Sequence, residues 1–253
     1  MGDHGRNRRH GLEISYMHAR MHISDQRLPD QPSLEIHPDV VLQRPHLAAF
    51  FGLIVATWAD IEGRLDAIFL LCANDRGALA EMQAIKGWDA RSKFFIRHLK
   101  SQQGDALAIE VRSILRYVAL PANKRHDIAH GIWAVCKELP DDLVVANSDI
   151  YTGAMEEALR AEAEGGPKLA LNKDRMLDTA RVVSAEHLSQ LLAELREARS
   201  LMHNFMIQKM PAVVHVHNRE ALPRAADHPD IAERIRNAEA GIKKRDKGQP
   251  IVD

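Results

Sequence analysis

The sequence predicts an all-α helical bundle with a small β-hairpin insertion, and three observations carry that expectation. Leu47, Phe51, Ile54, Trp58, Ile61, Leu65, Ile68 and Cys72 recur alternately four and three residues apart, the spacing of one buried stripe on a long helix. Leu188, Leu191, Leu192, Leu195, Ala198, Met202 and Phe205 repeat the pattern after Ser184, a residue suited to cap a helix N-terminus. Two adjacent β-prone runs, IWAVCKEL and LVVANS, are joined by the turn formers Pro140, Asp141 and Asp142, which reads as a hairpin set among helices.

Taken in order, residues 1–39 mix His, Arg, Asp, Pro and Gln without a sustained period. Burying them would not offset the entropy of ordering them, so a flexible arm is expected there. Its histidines, His4, His10, His18 and His22, are too scattered to form a site. Residues 40–210 form the helical domain. Pro38 and Pro45 mark helix starts, since proline is tolerated in a first turn. Arg76–Lys86 reads as a short helix stopped near Gly87, and Asp89 can cap a third running to about Lys100. From Asp105 to Ala119, Val111, Ile114, Leu115 and Val118 share a face while Arg112 and Arg116 form a basic stripe on another. Pro121 permits a new start and Gly131 a stop, confining Ala122–His130 to a short helix or a kinked continuation.

Beyond the hairpin, Met155–Glu164 reads as helix, Gly165, Gly166 and Pro167 break it, and KLALN reads as a short strand. The helix capped by Ser184 should pack on the first long one and end at Pro211, with Met202, Met206 and Met210 as packing residues. Residues 211–253 read as a charged, flexible tail, in which Asp230–Ile242 could form a helix on a partner.

Composition limits function. With 34 basic against 35 acidic residues in 253, no global field draws the chain to nucleic acid or an anionic membrane, so any RNA contact must be local. The longest apolar stretch, Leu47–Ala59, is too short to span a bilayer, and no membrane association is expected. Cys72 and Cys136 lie among apolar residues, which suits packing in a reducing cytoplasm rather than a disulfide framework.

The segment NKRHDIAHGIW places Arg125, His126, Asp127 and His130 within six residues, beside the basic stripe. At about 3.6 residues per turn, His126 and His130 stack one above the other, and Asp127 lies one turn before His130. Asp127 would then hold one ring nitrogen of His130 and leave the other free to move a proton. Arg125 is about 140° round the helix from His130, so it must curl round or meet a histidine of a second subunit.

The pattern R-H-D-I-A-H resembles the signature of HEPN domains, helical bundles that often dimerise through this region. A long first helix containing WADIEGRL, a final amphipathic helix and a short β insertion after A-H-G-I-W extend the resemblance over roughly residues 40–210. The resemblance implies metal-independent RNA cleavage without a cofactor, with Arg125 holding the scissile phosphate, His130 as general acid or base and His126 as its polar assistant. It also implies a homodimer, and an antitoxin-like protein is a possible partner for a toxin or defence ribonuclease. Arg112, Arg116 and Lys124 are the candidate RNA contacts, and Tyr117 and Trp133 the nearest aromatics for stacking in a chain with only 5% aromatic residues.

Other readings stand beside this one. Arg125 can pair with Glu62 in a structural network while His130 bonds a backbone carbonyl. Two histidines one turn apart also suit zinc, but Asp127 stands where a longer glutamate usually serves and no third ligand is identifiable. The His-Asp pair likewise suggests metal-dependent HD phosphohydrolases, whose further ligands have no place here. A non-catalytic dimerisation or protein-interaction module remains the alternative function.

Overall fold

The computed structural model describes residues 23–36, 39–146, 148–164, 177, 179–211 and 219–246. The chain is mostly helical and carries a small antiparallel sheet. In order it forms strand β1 (Leu34–Ile36), a 3-10 turn (Val40–Gln43), α1 (Pro45–Ala73), α2 (Arg76–Ala84), α3 (Trp88–Gln103) and α4 (Asp105–His130). There follow β2 (Ile132–Cys136), β3 (Leu139–Ala146), α5 (Ser148–Ala163), β4 (Arg181–Val183), α6 (Ala185–Lys209) and α7 (Pro229–Asp246).

Among the described residues, helices α1 and α6 make the most extensive packing between elements, along the two stripes read from the sequence. Leu47, Ile54, Ile61, Leu65 and Ile68 of α1 are buried, as are Leu188, Leu191, Leu195, Met202 and Phe205 of α6. Each such side chain contributes about 1.5–3 kcal/mol by leaving water, so these seams dominate the helical core. Asn74 ends α1 in the left-handed conformation, and the Asp75 carboxylate caps α2 by accepting from the Ala78 amide at 2.9 Å. Gly87, with φ of 85°, caps α3 in place of Asp89, which lies in that helix's first turn. Ser184 caps α6 in a reciprocal pairing with His187.

Pro121 neither starts a helix nor breaks one. Helix α4 runs through it for 26 residues, because Pro121 and the flanking Val118 and Ala122 are buried among its neighbours and tertiary packing outweighs the lost hydrogen bond.

The expected hairpin is the centre of a four-stranded sheet of order β1-β2-β3-β4, every neighbouring pair antiparallel. The turn lies at Lys137 and Glu138, not at Pro140–Asp142. Those three residues fall in β3 where the register shifts between the pairs Cys136–Leu139 and Ala134–Val144, an irregularity that accommodates a proline without a ladder hydrogen bond. Trp133, Val135, Leu143, Val145 and Val183 join the helical core. Ala134, Cys136, Val144 and Ala146 form a smaller cluster on the other face with Ala180, Leu28 and Leu34. The strand expected at KLALN lies outside the described residues, and β4 forms further on.

Both segments read as tails contribute to the core within their described parts. From the N-terminal arm, β1 pairs with β2, Ile23 is buried, and the Val182 amide donates to the Gln26 carbonyl at 2.9 Å. From the C-terminal segment, Ala225 and Ile231 are fully buried as α7 packs on α4, so that helix docks on its own chain. Local sequence misses both because a short apolar pair such as Ile231 and Ile235 gains its value only from the surface it meets.

Candidate functional site

The last three turns of α4 carry the motif. His126 and His130 stack with ring centroids 4.5 Å apart and an interplanar angle of 43°, as the four-residue spacing requires. His130 is exposed in the last turn and His126 half-buried, so the pair opens to solvent.

Arg125 points elsewhere. Its guanidinium carbon lies 4.7 Å from the Trp58 ring centroid, a cation–π stack on α1. Trp58 in turn meets Trp88 edge-on at 5.1 Å, and the Trp88 indole donates to the Leu115 carbonyl at 3.3 Å. Burial lowers the Arg125 pKa from its ordinary value, and the negative charge of Glu62 works against that shift. Glu62 also accepts from Arg91 at 3.5 Å, and Arg91 is paired with Asp66 as well. Arg125 thus stands in an α1–α3–α4 shell of aromatic rings and shared carboxylates. Sequence reasoning found Glu62 but missed Trp88 and Arg91, whose places are set by how α3 crosses α1.

Asp127 takes a third direction. It is buried, and its Oδ2 accepts the Ile23 backbone N–H at 3.2 Å, tying the N-terminal segment to the motif. Beside the role read from sequence, this contact anchors a segment 104 residues away. Just beyond the motif, the Gly131 amide donates to the Asp127 carbonyl at 2.9 Å. A Cβ on Gly131 would collide with that carbonyl oxygen and with Cγ2 of Val145, so close approach rather than φ requires glycine there.

The three cations proposed to meet RNA are dispersed. Lys124 is spent on Glu194 of α6, with Nζ at 2.7 and 2.8 Å from the two carboxylate oxygens. It is an internal ion pair rather than an open contact. Arg116 is exposed and Arg112 half-buried. Of the expected stacking residues, Tyr117 sits against His228 at 4.8 Å and Trp133 against Phe51 at 4.6 Å. Burial, and then the neighbouring Glu197, raise the Tyr117 pKa above its ordinary value, and Glu197 also accepts from His228 Nε2 at 3.1 Å. Both rings are used for packing.

Among the described residues, no three His, Cys, Asp or Glu side chains gather in a way that could hold a metal ion. No helix among them is long and apolar enough to cross a membrane. No family model, curated protein or solved structure matches the chain.

Proposed function

We propose that this chain is a HEPN-like protein that cleaves single-stranded RNA without a metal ion, using His130 and His126. The observation that supports this reading is the stacked imidazole pair, with His130 exposed and His126 half-buried, two groups of a type suited to proton transfer and held one turn apart on a helix. A neutral ring accepts the proton of a 2′-hydroxyl, and the resulting oxygen attacks the adjacent phosphorus. The bond to the 5′-oxygen breaks, and a protonated ring returns a proton to that leaving group. The products are a cyclic phosphate and a free 5′-hydroxyl, and the balance needs no oxidant, reductant or cofactor.

Incubating purified protein with mixed RNA in excess EDTA, alongside His130→Ala, tests the reading. Cleavage by the wild type alone is the expected result, with loss of about 10²-fold or more in the variant. Because His130 is exposed, its replacement should leave the melting temperature unchanged.

A second reading is favoured by one observation. Arg125, the cation that a HEPN-type site would place on the phosphate, is stacked on Trp58 and half-buried. A non-catalytic module that pairs with a second copy or with an antitoxin-like protein would need no more of Arg125 than this. Absence of cleavage by both proteins would select it.

A further inference from the structure

Helix α1 is apolar all round for about its first four turns. Between Pro45 and Ala59 it contains no Asp, Glu, Lys or Arg. A helix of that kind is ordinarily covered on every side. Here its inner side is buried in the core, while Ala49, Gly52, Leu53, Val55, Ala56 and Ala59 are exposed, Leu53 to 46% and Val55 to 52%. Leu42, in the 3-10 turn just ahead of the helix, is exposed to 71%. The core partner α6 does the opposite, since its exposed residues include Glu186, Gln190, Arg196, Glu197 and Arg199.

Two glycines on the same face point to what covers it. Gly52 and Gly63 stand inside the helix, where glycine is poorer than any residue but proline. Neither has a positive φ, and a Cβ on either would meet nothing within 4 Å, so nothing among the described residues requires glycine there. A bare stretch of backbone serves a helix that approaches closely from outside.

Self-complementarity names the occupant. Let a second copy of α1 lie antiparallel to the first, with the two-fold axis between Gly52 and Leu53. Each Leu53 then lies over Gly52 of the partner subunit, Ala49 faces Ala56, and the same register carries Leu42 toward Gly63. Charge agrees with this register. It brings Asp60 to the first turn of the opposing α1, which has no acidic residue and no side-chain cap for its amides. A parallel pairing would set Asp60 against its own copy and align the two helix dipoles.

We propose that this face of α1 is the seam of a homodimer, in which two copies pack α1 on α1, antiparallel about Gly52 and Leu53. Ala56 is about 160° round the helix from Trp58, the ring on which Arg125 stacks. The seam therefore lies away from the motif, and each subunit keeps its own histidine pair. This departs from dimerisation through the motif, which the HEPN resemblance implies, and it stands whether or not the protein is a nuclease.

Light scattering of the full chain at micromolar concentration should give twice the chain mass of 28.4 kDa. Gly52→Gln fills the space that Leu53 of the partner subunit needs, and should weaken the dimer by about 100-fold or more. Glutamine favours helix over glycine and meets nothing within its own chain. Diluted until both proteins are monomers, the variant should therefore melt at or above the wild-type temperature. Leu53→Cys should be joined into a covalent dimer by a thiol cross-linker about as long as the 8–10 Å between packed helices. Gly63→Cys should not, because its two copies lie about 30 Å apart along the seam. The native Cys72 and Cys136 are buried and should not react in either protein.

A dimer of unchanged affinity in Gly52→Gln would put the interface elsewhere and overturn the seam. Cross-linking of Gly63→Cys would overturn the antiparallel register. A monomeric wild type would overturn the dimer altogether. Binding of that monomer to phosphatidylcholine vesicles would then assign the face to a membrane surface, and a lowered melting temperature in Gly52→Gln would assign it to the chain's own residues.

Discussion

Arg125 and His130 are five residues apart in one helix, yet their surroundings differ as a core differs from a surface. Arg125 faces inward onto Trp58, where burial opposes its charge and Glu62 supports it. His130 faces solvent and shares its ring contact with His126. The same stretch of helix places Asp127 against the N-terminal segment. A compact cluster in sequence is therefore three directions in space, because each step along a helix turns the side chain by about 100°. Density of reactive residue types along a chain points to a place, and only the direction of each side chain says which of them can meet a substrate together.

Three experiments would break or sharpen that contrast, beyond the cleavage and association assays. Replacing Gly131, the hinge on which both sides depend, should have the largest effect. Gly131→Ala forces a Cβ against the Asp127 carbonyl and Val145, and overpacking of this kind costs about 1–3 kcal/mol in a denaturant melt. Because the carbonyl is backbone, relief would have to come from the helix end itself. A variant as stable as wild type would show that α4 and β2 can separate freely.

Next in size is the direct comparison of the two motif residues. Arg125→Ala removes a desolvated cation–π contact and the packing of the side-chain stem, and should cost about 1–2 kcal/mol. His130→Ala should stay within about 0.5 kcal/mol of wild type, as exposed substitutions usually do. Equal losses in chemical denaturation would erase the distinction between the buried and open sides.

The smallest effect concerns the sheet that supports the helix end. Glu138 is held at a pKa of about 2, against an ordinary 4.5, by hydrogen bonds from the Cys136 thiol and then from Ser33. A carboxylate whose folded pKa is depressed contributes stability above its unfolded value and loses it as pH falls through the folded one. The advantage of wild type over Glu138→Gln in melting temperature should therefore be constant above pH 4.5 and vanish on acidification toward pH 2. A difference independent of pH would mean that the Ser33 amide gains nothing from the charge on Glu138.

Much of the helical scaffold was legible in the sequence. The alternating spacing in α1, the Leu-rich stripe of α6 and the Ser184 cap each rest on interactions between residues a few positions apart, and these are what a local pattern encodes. Of the short helix and the kinked continuation that Pro121 left open, the continuation forms, and the sequence could not choose because the proline rule is local and the packing of Val118 and Ala122 is not. The ion pair of Lys124 was hidden for a similar reason: its partner Glu194 lies 70 residues away on the helix that α4 meets.

By itself the sequence determined that this protein is mainly helical, that its two long stripes pair, and that its densest group of titratable residues ends one helix before a short sheet. The tertiary structure decided the rest. It added β1 and β4 to the hairpin, turned α7 onto α4, buried Asp127 beneath the Ile23 amide and separated Arg125 from the histidines. Helical periodicity is set by hydrogen bonds four residues apart, so composition along the chain reveals it. Strand partners, helix crossings and the burial of a charge depend on surfaces that come together only when distant segments fold over one another.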